Sequence, residues 1–563
     1  MFLRFVRRYR IAFAVVGVCS VLLNLTAFAG PIYMLLVYDS VLPSRSLPTL
    51  FGLFMMLIVV YVFQVVFEEI RSKALSGIAN GLRADVFRPV HFASVNNSLR
   101  NGKGDGDGMQ PVRDLDQLHS FLSGLGPAAI IDMPWVILFL IVLTALHWSL
   151  GLTALVGALI LAGLAYLTSQ RTQSGTRALN IATGQRMEAT QTEFRLAEAA
   201  WAMGMQSRLI ERTRKSDEAF LNVQIFLART LSGLTGASRS FRLLLQSVVL
   251  TAGALLVIDG QASGGIIIAA SVLTGRALAP IDQAIANWRG FSASRDGWAR
   301  IMEIIARYPE ALPHSVQIAR PTGPLSLRGI WVTPPGSQDP VISDLSLTVN
   351  PGQVLAVIGP SAAGKTSLAR TLVGIWRPVR GEIRIDGATF DQWDPERLGA
   401  SFGYVPQTVE LADGTIAENI ARFDPDASSE TIIAAAKGAG MHNLILGLPD
   451  GYETRLSSGG FALSAGQCQR LGLARALYGD PHLVVLDEAN SNLDAAGDEA
   501  LARAIAGVRA RMGIVVMVTH RPATLGPATH IAVMQGGRLA DIGERDIILA
   551  KMRGEPAPAV PAP

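Results

Sequence analysis

Cysteine and charge are both scarce in this sequence. Its two cysteines, Cys19 and Cys468, lie in regions of opposite character, one apolar and one polar. A disulfide between them is therefore not expected, and neither has the neighbouring Cys or His residues that a zinc site requires. Charged residues make up 17% of the chain, and the formal net charge of +4 is not concentrated in a basic cluster. No nucleic-acid partner is expected.

Apolar runs are what the first three hundred residues have instead, in a chain that is 50% hydrophobic. A helix needs about 20 apolar residues to cross a hydrocarbon core of about 30 Å. The runs that lack charge are 11–38, 46–67, 133–170, 243–258 and 260–275. The third run is long enough for two helices joined at the hairpin His147–Gly151, whereas the last two are short and flank Asp259. Together they predict six membrane-spanning helices.

The basic residues predict how these helices are oriented. Lys and Arg are frequent before the first span, after the second and after the fourth. The other links carry only Arg45, Asp39 and Asp259 among charged residues. Because cytoplasmic loops are enriched in basic residues, both termini are expected in the cytoplasm. The first run is too long for a signal peptide and lacks a convincing cleavage site, so it is expected to stay as a helix. The polar segments 68–128 and 171–237 are expected to extend these helices beyond the membrane.

A few ionisable residues lie in or next to the predicted spans: Asp132, Arg239, Arg242 and Arg276. Such groups are costly in a membrane, which makes them functional candidates, and a basic lining would suit an acidic polypeptide. The alternative is that they lie near the cytoplasmic ends of the spans and extend their charged groups into water.

From about residue 325 the pattern changes to short strands that alternate with helices, which predicts an α/β domain. The predicted strand 354–359 leads directly into a complete G-x-x-x-x-G-K-[ST] motif, which a helix follows. In such a loop, backbone N–H groups surround phosphate, Lys365 reaches the β- and γ-phosphates and Thr366 can hold Mg²⁺. The alternative is a chance Gly-rich turn. The predicted ATP-binding residues here are Gly359, Pro360, Ser361, Ala362, Ala363, Gly364, Lys365, Thr366 and Ser367.

Two further predicted strands end in polar residues. "LVVLDE" ends in Asp487, placed to orient Mg²⁺, and Glu488, placed to polarise a water for attack on the γ-phosphate. "VVMVTHR" contains His520, for which a γ-phosphate contact is predicted. The alternatives are a solvated acidic strand end and a structural histidine.

These motifs, together with "YVPQ", "LSAGQ" (463–467) and "SNLD" (491–494), occur in the order found in ABC transporter nucleotide-binding domains, and the chain resembles that family along nearly its whole length. The resemblance implies a multidomain fold, with an all-α six-helix transmembrane exporter domain followed by an α/β P-loop (ABC-type) nucleotide-binding domain. It implies ATP and Mg²⁺ as cofactors, Glu488 as general base and His520 as the γ-phosphate switch. The further residues that it assigns to ATP are Gln407, Ser464, Gly466, Gln467 and Asp494, and those that it assigns to Mg²⁺ are Thr366, Gln407 and Asp487.

The resemblance also gives these residues a place in a dimer. Ser464, Gly466 and Gln467 would close over ATP bound by the other subunit, and Asp494 would lie at the dimer contact. Gln407 would sense Mg²⁺ and link to the membrane domain. The expected domains are 1–305 (transmembrane), 306–324 (linker), 325–552 (nucleotide-binding) and 553–563 (a disordered tail).

Narrower features resemble the type I secretion permease/ATPases, the PrtD-like exporters: "RDLDQLHSFLSG" with "IDMPW" (113–135), "GPSAAGKTSLAR" (359–370) and "DEANSNLD" (487–494). This implies a homodimeric half-transporter in the bacterial inner membrane, in contact with membrane lipids, with its ATPase domain in the cytoplasm. Its expected partners are a periplasmic adaptor (membrane fusion protein), an outer-membrane channel and unfolded secreted proteins with C-terminal signals.

Three alternatives compete with protein export. An exporter of lipids or small hydrophobic molecules shares every ATPase motif. A membrane-anchored P-loop kinase would not need "LSAGQ" and "SNLD", and a regulatory module without turnover would not need Glu488 and His520.

The chain departs from the usual ABC pattern at Pro334, a position where an aromatic residue that stacks on adenine is common. Trp331 either takes over this stacking role or is a residue of the hydrophobic core. The chain departs again at Ala465, usually Gly, and at Cys468, often Arg, whose thiol is either oxidisable or buried and inert.

Overall fold

The computed structural model describes residues 5, 7–101, 108–309, 318–456, 463–520 and 522–553. Two compact units divide after residue 310, with the short stretch 99–104 grouped with the second. The sequence-predicted tail after Arg553 and part of the predicted linker lie outside the described residues.

Within its described residues the first unit is entirely helical. A π-helical segment, Val37–Val41, interrupts the helices near the end of the first apolar run. The α-helices are α1 (Arg10–Thr26), α2 (Ala29–Leu36), α3 (Leu42–Ser44), α4 (Leu47–Asn101), α5 (Gln110–Ser123), α6 (Gly126–Asp132), α7 (Trp135–Leu146), α8 (Trp148–Arg195), α9 (Ala197–Ala202), α10 (Gln206–Ile258), α11 (Gly264–Ala286) and α12 (Trp288–Arg307).

Five described helical stretches are long and apolar enough to cross a membrane, and a bent pair raises the number to six. The pair is α6 and α7, which meet at an angle of 44°. Its break contains Pro134, which has no N–H to continue the helical hydrogen bonds. The run 260–275 is only part of a span, because α11 continues to Ala286. In their described residues the long polar segments are mostly helical, since α4, α8 and α10 each extend well beyond their apolar part.

Asp132, at the end of α6, is held in a buried polar cluster. Its Oδ2 accepts a hydrogen bond of 2.8 Å from Arg71, and its Oδ1 accepts from Asn24 at 3.0 Å and from Ser20. The Arg71 side chain is only 8% exposed and also pairs with Glu68 at 2.9 Å. Every charged group of the cluster has an oppositely charged or hydrogen-bonding partner, as buried charges require. Because these partners lie on α1, α4 and α6, the cluster joins the three helices at the break before α7.

Arg242 is likewise paired rather than free. Its Nε lies 2.9 Å from Oδ2 of Asp282 on α11, and Ser238 donates a 2.6 Å hydrogen bond to the other oxygen of that carboxylate. The alternative that Asp132 and Arg242 simply extend into water is therefore wrong for both residues in this structure. Both instead hold neighbouring helices together.

In its described residues the second unit is an α/β domain with three sheets. A four-stranded antiparallel sheet has the order β2-β1-β4-β5, a six-stranded sheet has the order β12-β11-β3-β10-β9-β6, and β7 pairs with β8. In the six-stranded sheet only β12 is antiparallel. The strands are β1 (Leu325–Val332), β2 (Ile342–Val349), β3 (Val354–Ile358), β4 (Arg380–Ile385), β5 (Ala388–Thr389), β6 (Phe402–Val405), β7 (Gly414–Thr415), β8 (Arg455–Leu456), β9 (Leu483–Asp487), β10 (Ile514–Val518), β11 (His530–Gln535) and β12 (Arg538–Glu544).

Alternate residues of the central strands enter two different cores. On β3, Val354 and Ala356 pack on one face, whereas Leu355 and Val357 pack on the other. This burial of both faces explains why the strands are continuously apolar in sequence. The helices that cover the sheet or border it are α13 (Lys365–Leu372), α14 (Pro395–Ala400), α15 (Ile416–Ile420), α16 (Ser429–Gly438), α17 (His442–Leu446), α18 (Ala465–Leu477), α19 (Ala495–Ala510) and α20 (Arg545–Arg553).

Candidate functional site

The predicted catalytic residues follow three neighbouring parallel strands. β3 leads into the loop that begins at Gly359, β9 ends at Asp487 and β10 is followed after one residue by His520. In the sheet, β10 lies between β3 and β9. Because parallel strands bring their carboxyl ends to one edge, the sheet places all three groups together.

The P-loop has a backbone that few side chains could adopt. Gly359 has a φ of 154° and Gly364 a φ of 93°, and Ala362 between them has a φ of 63°. A Cβ at Gly359 would lie 2.2 Å from the backbone oxygen of Met534, so this glycine is required by space as well as by conformation. The Lys365 amine donates 2.8 Å hydrogen bonds to the carbonyls of Gly359 and Pro360. The loop therefore curves around this cation.

Thr366 and Asp487 form a pair of oxygen ligands beside the loop. The Thr366 hydroxyl donates a 3.2 Å hydrogen bond to Oδ1 of Asp487, a residue that is 1% exposed. Within the described residues Oδ2 of Asp487 has no hydrogen-bond partner. Burial raises the pKa of Asp487, and the Thr366 hydrogen bond opposes that rise.

This donor set fits Mg²⁺. Hard oxygen ligands suit the ion, and a buried carboxylate oxygen without a partner is a place where a cation would remove an energetic cost. In the described part of the chain, no group of three or more His, Cys, Asp or Glu side chains could hold a metal ion. The predicted set of Thr366, Gln407 and Asp487 contains a single carboxylate, so a magnesium ion held there would have room for further oxygen ligands such as those of phosphate.

Glu488 is contacted by two of the predicted residues. Gln407 donates a 3.0 Å hydrogen bond to Oε2 of Glu488, and Nδ1 of His520 lies 3.5 Å from Oε1. Glu488 itself has a φ of 52°, a strained conformation for a residue other than glycine. The His520 side chain is 54% exposed, so it is accessible to a ligand.

The segment "LSAGQ" begins a helix. Ser464 is the N-cap of α18, and it forms a capping box with Gln467 in which each side chain binds the other residue's backbone N–H. Ser464 and Ala465 are exposed. Gly466 lies close to the loop after β9, where a Cβ would lie 2.7 Å from the Asn492 oxygen. This helix N-terminus is thus open to an anion at one side and tightly packed at the other.

Gln469 was missed by sequence reasoning. It donates a 3.2 Å hydrogen bond to the carbonyl of Glu488 and accepts one of 3.0 Å from the backbone of Asn492. It therefore ties α18 to the loop that carries Glu488. Gln469 is 3% exposed in the structure. The only signal in the sequence was therefore a polar residue on the side of a helix that is buried.

Asp494 has a local role in the structure. It is the N-cap of α19, accepting a 2.8 Å hydrogen bond from the backbone of Gly497, and it pairs with Arg470 of α18. These hydrogen bonds and the Arg470 charge lower the pKa of Asp494. Its predicted dimer contact stays a prediction.

Two residues that the sequence departures brought into question, Trp331 and Cys468, can also be placed. Trp331 lies half-buried on β1, with the Arg380 guanidinium 6.0 Å from its ring centroid. Burial raises the pKa of Cys468, which favours the inert alternative because less of the reactive thiolate is present.

A cavity of about 1030 Å³ in this unit is lined by other residues, among them Arg422 and Tyr478, and by none predicted to bind ATP. Among the predicted ATP residues, Ser361, Ala362 and Ser464 are exposed, whereas Ala363 and Lys365 are buried.

Comparisons with known proteins agree with this geometry. Residues 342–491 match the family model described as ABC transporter, and residues 13–279 match the ABC transporter transmembrane region. The chain is 47% identical to the type I secretion system ATP-binding protein PrsD of Rhizobium meliloti (strain 1021), over 97% of this chain and 94% of that protein. It is 28% identical to the exotoxin translocation ATP-binding protein PaxB of Pasteurella aerogenes, over 97% of this chain and 77% of that protein.

A third similar protein is the leukotoxin translocation ATP-binding protein LktB of Mannheimia haemolytica, at 28% identity over 98% of this chain and 78% of that protein. Among solved structures, a bacterial Atm1-family ABC exporter with ATP bound matches with a TM-score of 0.83 and 22% identity, covering 98% of this chain and 97% of that one. The structural match establishes the fold, and the 47% identity along both chains establishes the family. The chain belongs to the ABC transporter family, as a type I secretion ATP-binding protein that hydrolyses ATP.

Proposed function

We propose that this protein is the ATP-driven half-transporter of a type I secretion system and exports unfolded proteins across the bacterial inner membrane as a homodimer. The observation that carries the proposal is the 47% identity to a type I secretion system ATP-binding protein along nearly the whole of both chains. The names of the exotoxin and leukotoxin translocation proteins point to the same substrate class.

The site residues take the roles that their geometry supports. Lys365, at the start of α13, and the loop amides bind the β- and γ-phosphates of ATP. Glu488 accepts a proton from the attacking water, with Gln407 and His520 placing that water and the γ-phosphate beside the carboxylate. Thr366 and Asp487, together with Gln407, would hold Mg²⁺, which when bound would offset negative charge on the phosphate oxygens.

The second half of the site comes from the partner copy. Ser464, Gly466 and Gln467 present a helix N-terminus, whose N–H groups and positive dipole end suit the γ-phosphate. In one chain Ser464 and Ala465 are exposed, which leaves this end accessible to a nucleotide bound by a second copy. Hydrolysis is then tied to closure of the dimer, with Asp494 at the contact between the two copies.

We also propose the domain boundaries, the orientation in the membrane and the partners of the protein. The domains are 1–305, 306–324, 325–552 and 553–563, with both termini and the ATPase domain in the cytoplasm and lipids around the spans. The basic residues between the second and third spans and after the fourth support this orientation. A periplasmic adaptor and an outer-membrane channel complete the path, and the substrate carries a C-terminal signal.

Deleting the gene and comparing the proteins in the culture medium tests the substrate class. We expect one or more proteins to disappear from the medium and to return with the wild-type gene but not with Glu488→Gln. The purified Glu488→Gln protein should still bind ATP while hydrolysis is lost. Glu499→Gln is the matched control, because Glu499 is an exposed carboxylate that pairs only with Arg503 among the described residues.

An unchanged set of secreted proteins, with lipids or small hydrophobic compounds retained in the cell, would instead support the alternative exporter. Near-normal ATP hydrolysis by Glu488→Gln would exclude Glu488 as the general base.

A further inference from the structure

Helix α18, whose N-terminus is the "LSAGQ" segment, ends in a way that depends on a distant side chain. The last four carbonyls of a helix have no partners within a continuing helix and need other donors. Here Ala474 O accepts from the backbone of Tyr478 at 3.1 Å, and Leu477 O accepts from that of Asp480 at 3.3 Å. The remaining two, Arg475 O and Ala476 O, accept from the guanidinium of Arg422 at 2.9 and 3.1 Å. One side chain therefore completes the end of this helix.

The same guanidinium also reaches a second helix. Nη1 of Arg422 donates a 3.1 Å hydrogen bond to the carbonyl of Gly399 in α14, directly before strand β6. That strand approaches the end of α18 very closely, since a Cβ at Gly403 would lie 2.3 Å from the Ala476 oxygen. Two residues beyond β6 is Gln407, which binds Glu488. Arg422 thus connects the C-terminal end of α18 to the strand that leads to Gln407.

The conformation and charge of Arg422 indicate a demanding position. Arg422 and Phe423 have φ values of 56° and 58°, two successive left-handed residues neither of which is glycine. Burial and the neighbouring Arg475 cation lower the pKa of Arg422. Its charge is still favourable next to the negative end of the helix dipole. A planar fork with donors on three nitrogens suits three carbonyls in a way that a lysine amine does not.

We propose that Arg422 is a positioning residue of the composite ATP site. This inference rests on the proposed function, in which two copies of the chain share that site. Helix α18 has 13 residues and is about 20 Å long, so fixing one end restricts the direction in which the other points. By holding the end of α18 to α14, Arg422 sets how far Ser464 reaches towards ATP on the partner copy. It touches neither ATP nor Glu488 and acts through the helix.

A double-mutant cycle on the full-length purified protein tests this role, with the rate of ATP hydrolysis measured against ATP concentration. The variants are Arg422→Lys, Ser464→Ala and the two together. Arg320→Lys is the matched control, because Arg320 lies beside the same cavity and donates to the carbonyl of Asp480, beyond the end of α18. We expect Arg422→Lys to lower kcat about tenfold while the KM for ATP changes less than about twofold. Arg320→Lys should keep wild-type kinetics.

The combined variant separates the possible roles. If Arg422 acts through the Ser464 end of α18, the double variant loses little more than the more severely affected single variant. Fully multiplied losses would overturn the proposal, as would a wild-type kcat in Arg422→Lys. Loss of ATP binding in Arg422→Lys would also overturn it, because it would show a general structural role. Should Ser464→Ala alone leave hydrolysis unchanged, the composite site of the proposed function would be wrong.

Discussion

Replacing Gly466 with alanine tests the position of α18 against the loop that carries Glu488, the proposed general base. The added Cβ would lie 2.7 Å from the Asn492 oxygen, whereas ordinary contacts begin near 3.4 Å. The start of the helix must therefore move away by roughly 0.7 Å, the difference between these two distances, and such overpacking typically costs about 1–3 kcal/mol of unfolding free energy. The same movement would stretch the hydrogen bonds of 3.0 and 3.2 Å by which Gln469 holds Asn492 and Glu488.

We expect Gly466→Ala to lower kcat for ATP hydrolysis about tenfold, because a displacement of about 1 Å in a catalytic arrangement can cost a hundredfold. ATP binding to the P-loop should be nearly unchanged. The matched control is Gly507→Ala: this glycine is also helical, in α19, but a Cβ there meets nothing within 4 Å. It should raise stability slightly, since alanine favours helix over glycine by about 1 kcal/mol. Equal hydrolysis rates in both variants would refute the reasoning.

The remaining predictions concern single charged or reactive groups. Asp132→Asn should lower the unfolding temperature in detergent, because loss of one partner of a buried ion pair typically costs about 3–5 kcal/mol; no change would mean that Arg71 does not depend on Asp132. The folded-state pKa of Asp494 is lowered, so its stabilisation is present above the unfolded pKa and lost as pH falls through the folded pKa. The stability difference between wild type and Asp494→Asn should therefore shrink on acidification, and a constant difference would contradict this. Cys468 should react with iodoacetamide more slowly than free cysteine at pH 7.5, and faster reaction would contradict the inert alternative.

The sequence was sufficient for the fold and for the groups at the strand ends. The P-loop lies between a buried strand and a helix, and that local pattern carries its own geometry. Asp487, Glu488 and His520 could be brought together because parallel strands end at one edge, which follows from the strand pattern. Six spans were predicted because length and apolar composition define a membrane helix.

Contacts between distant side chains were beyond such reasoning. Asp132 was identified as unusual, but its partners on α1 and α4 depend on how three helices pack. Gln469 and Arg422 donate hydrogen bonds to backbone carbonyls, and many polar side chains can do so, so no motif marks them. The bend between α6 and α7 coincides with Pro134, but the pattern of apolar residues alone could not give its angle.

The most direct test of the account is a covalently linked dimer with two substitutions, Lys365→Ala and Ser464→Asp. Aspartate is as good an N-cap as serine, so it preserves the helix start while its charge repels the γ-phosphate. If each ATP site is shared between subunits, placing the substitutions in different subunits leaves one site with both an intact P-loop and an intact Ser464. With both in one subunit, neither shared site is intact. We predict clearly faster ATP hydrolysis in the first arrangement; faster hydrolysis in the second would mean that each chain completes its own site and would contradict the account.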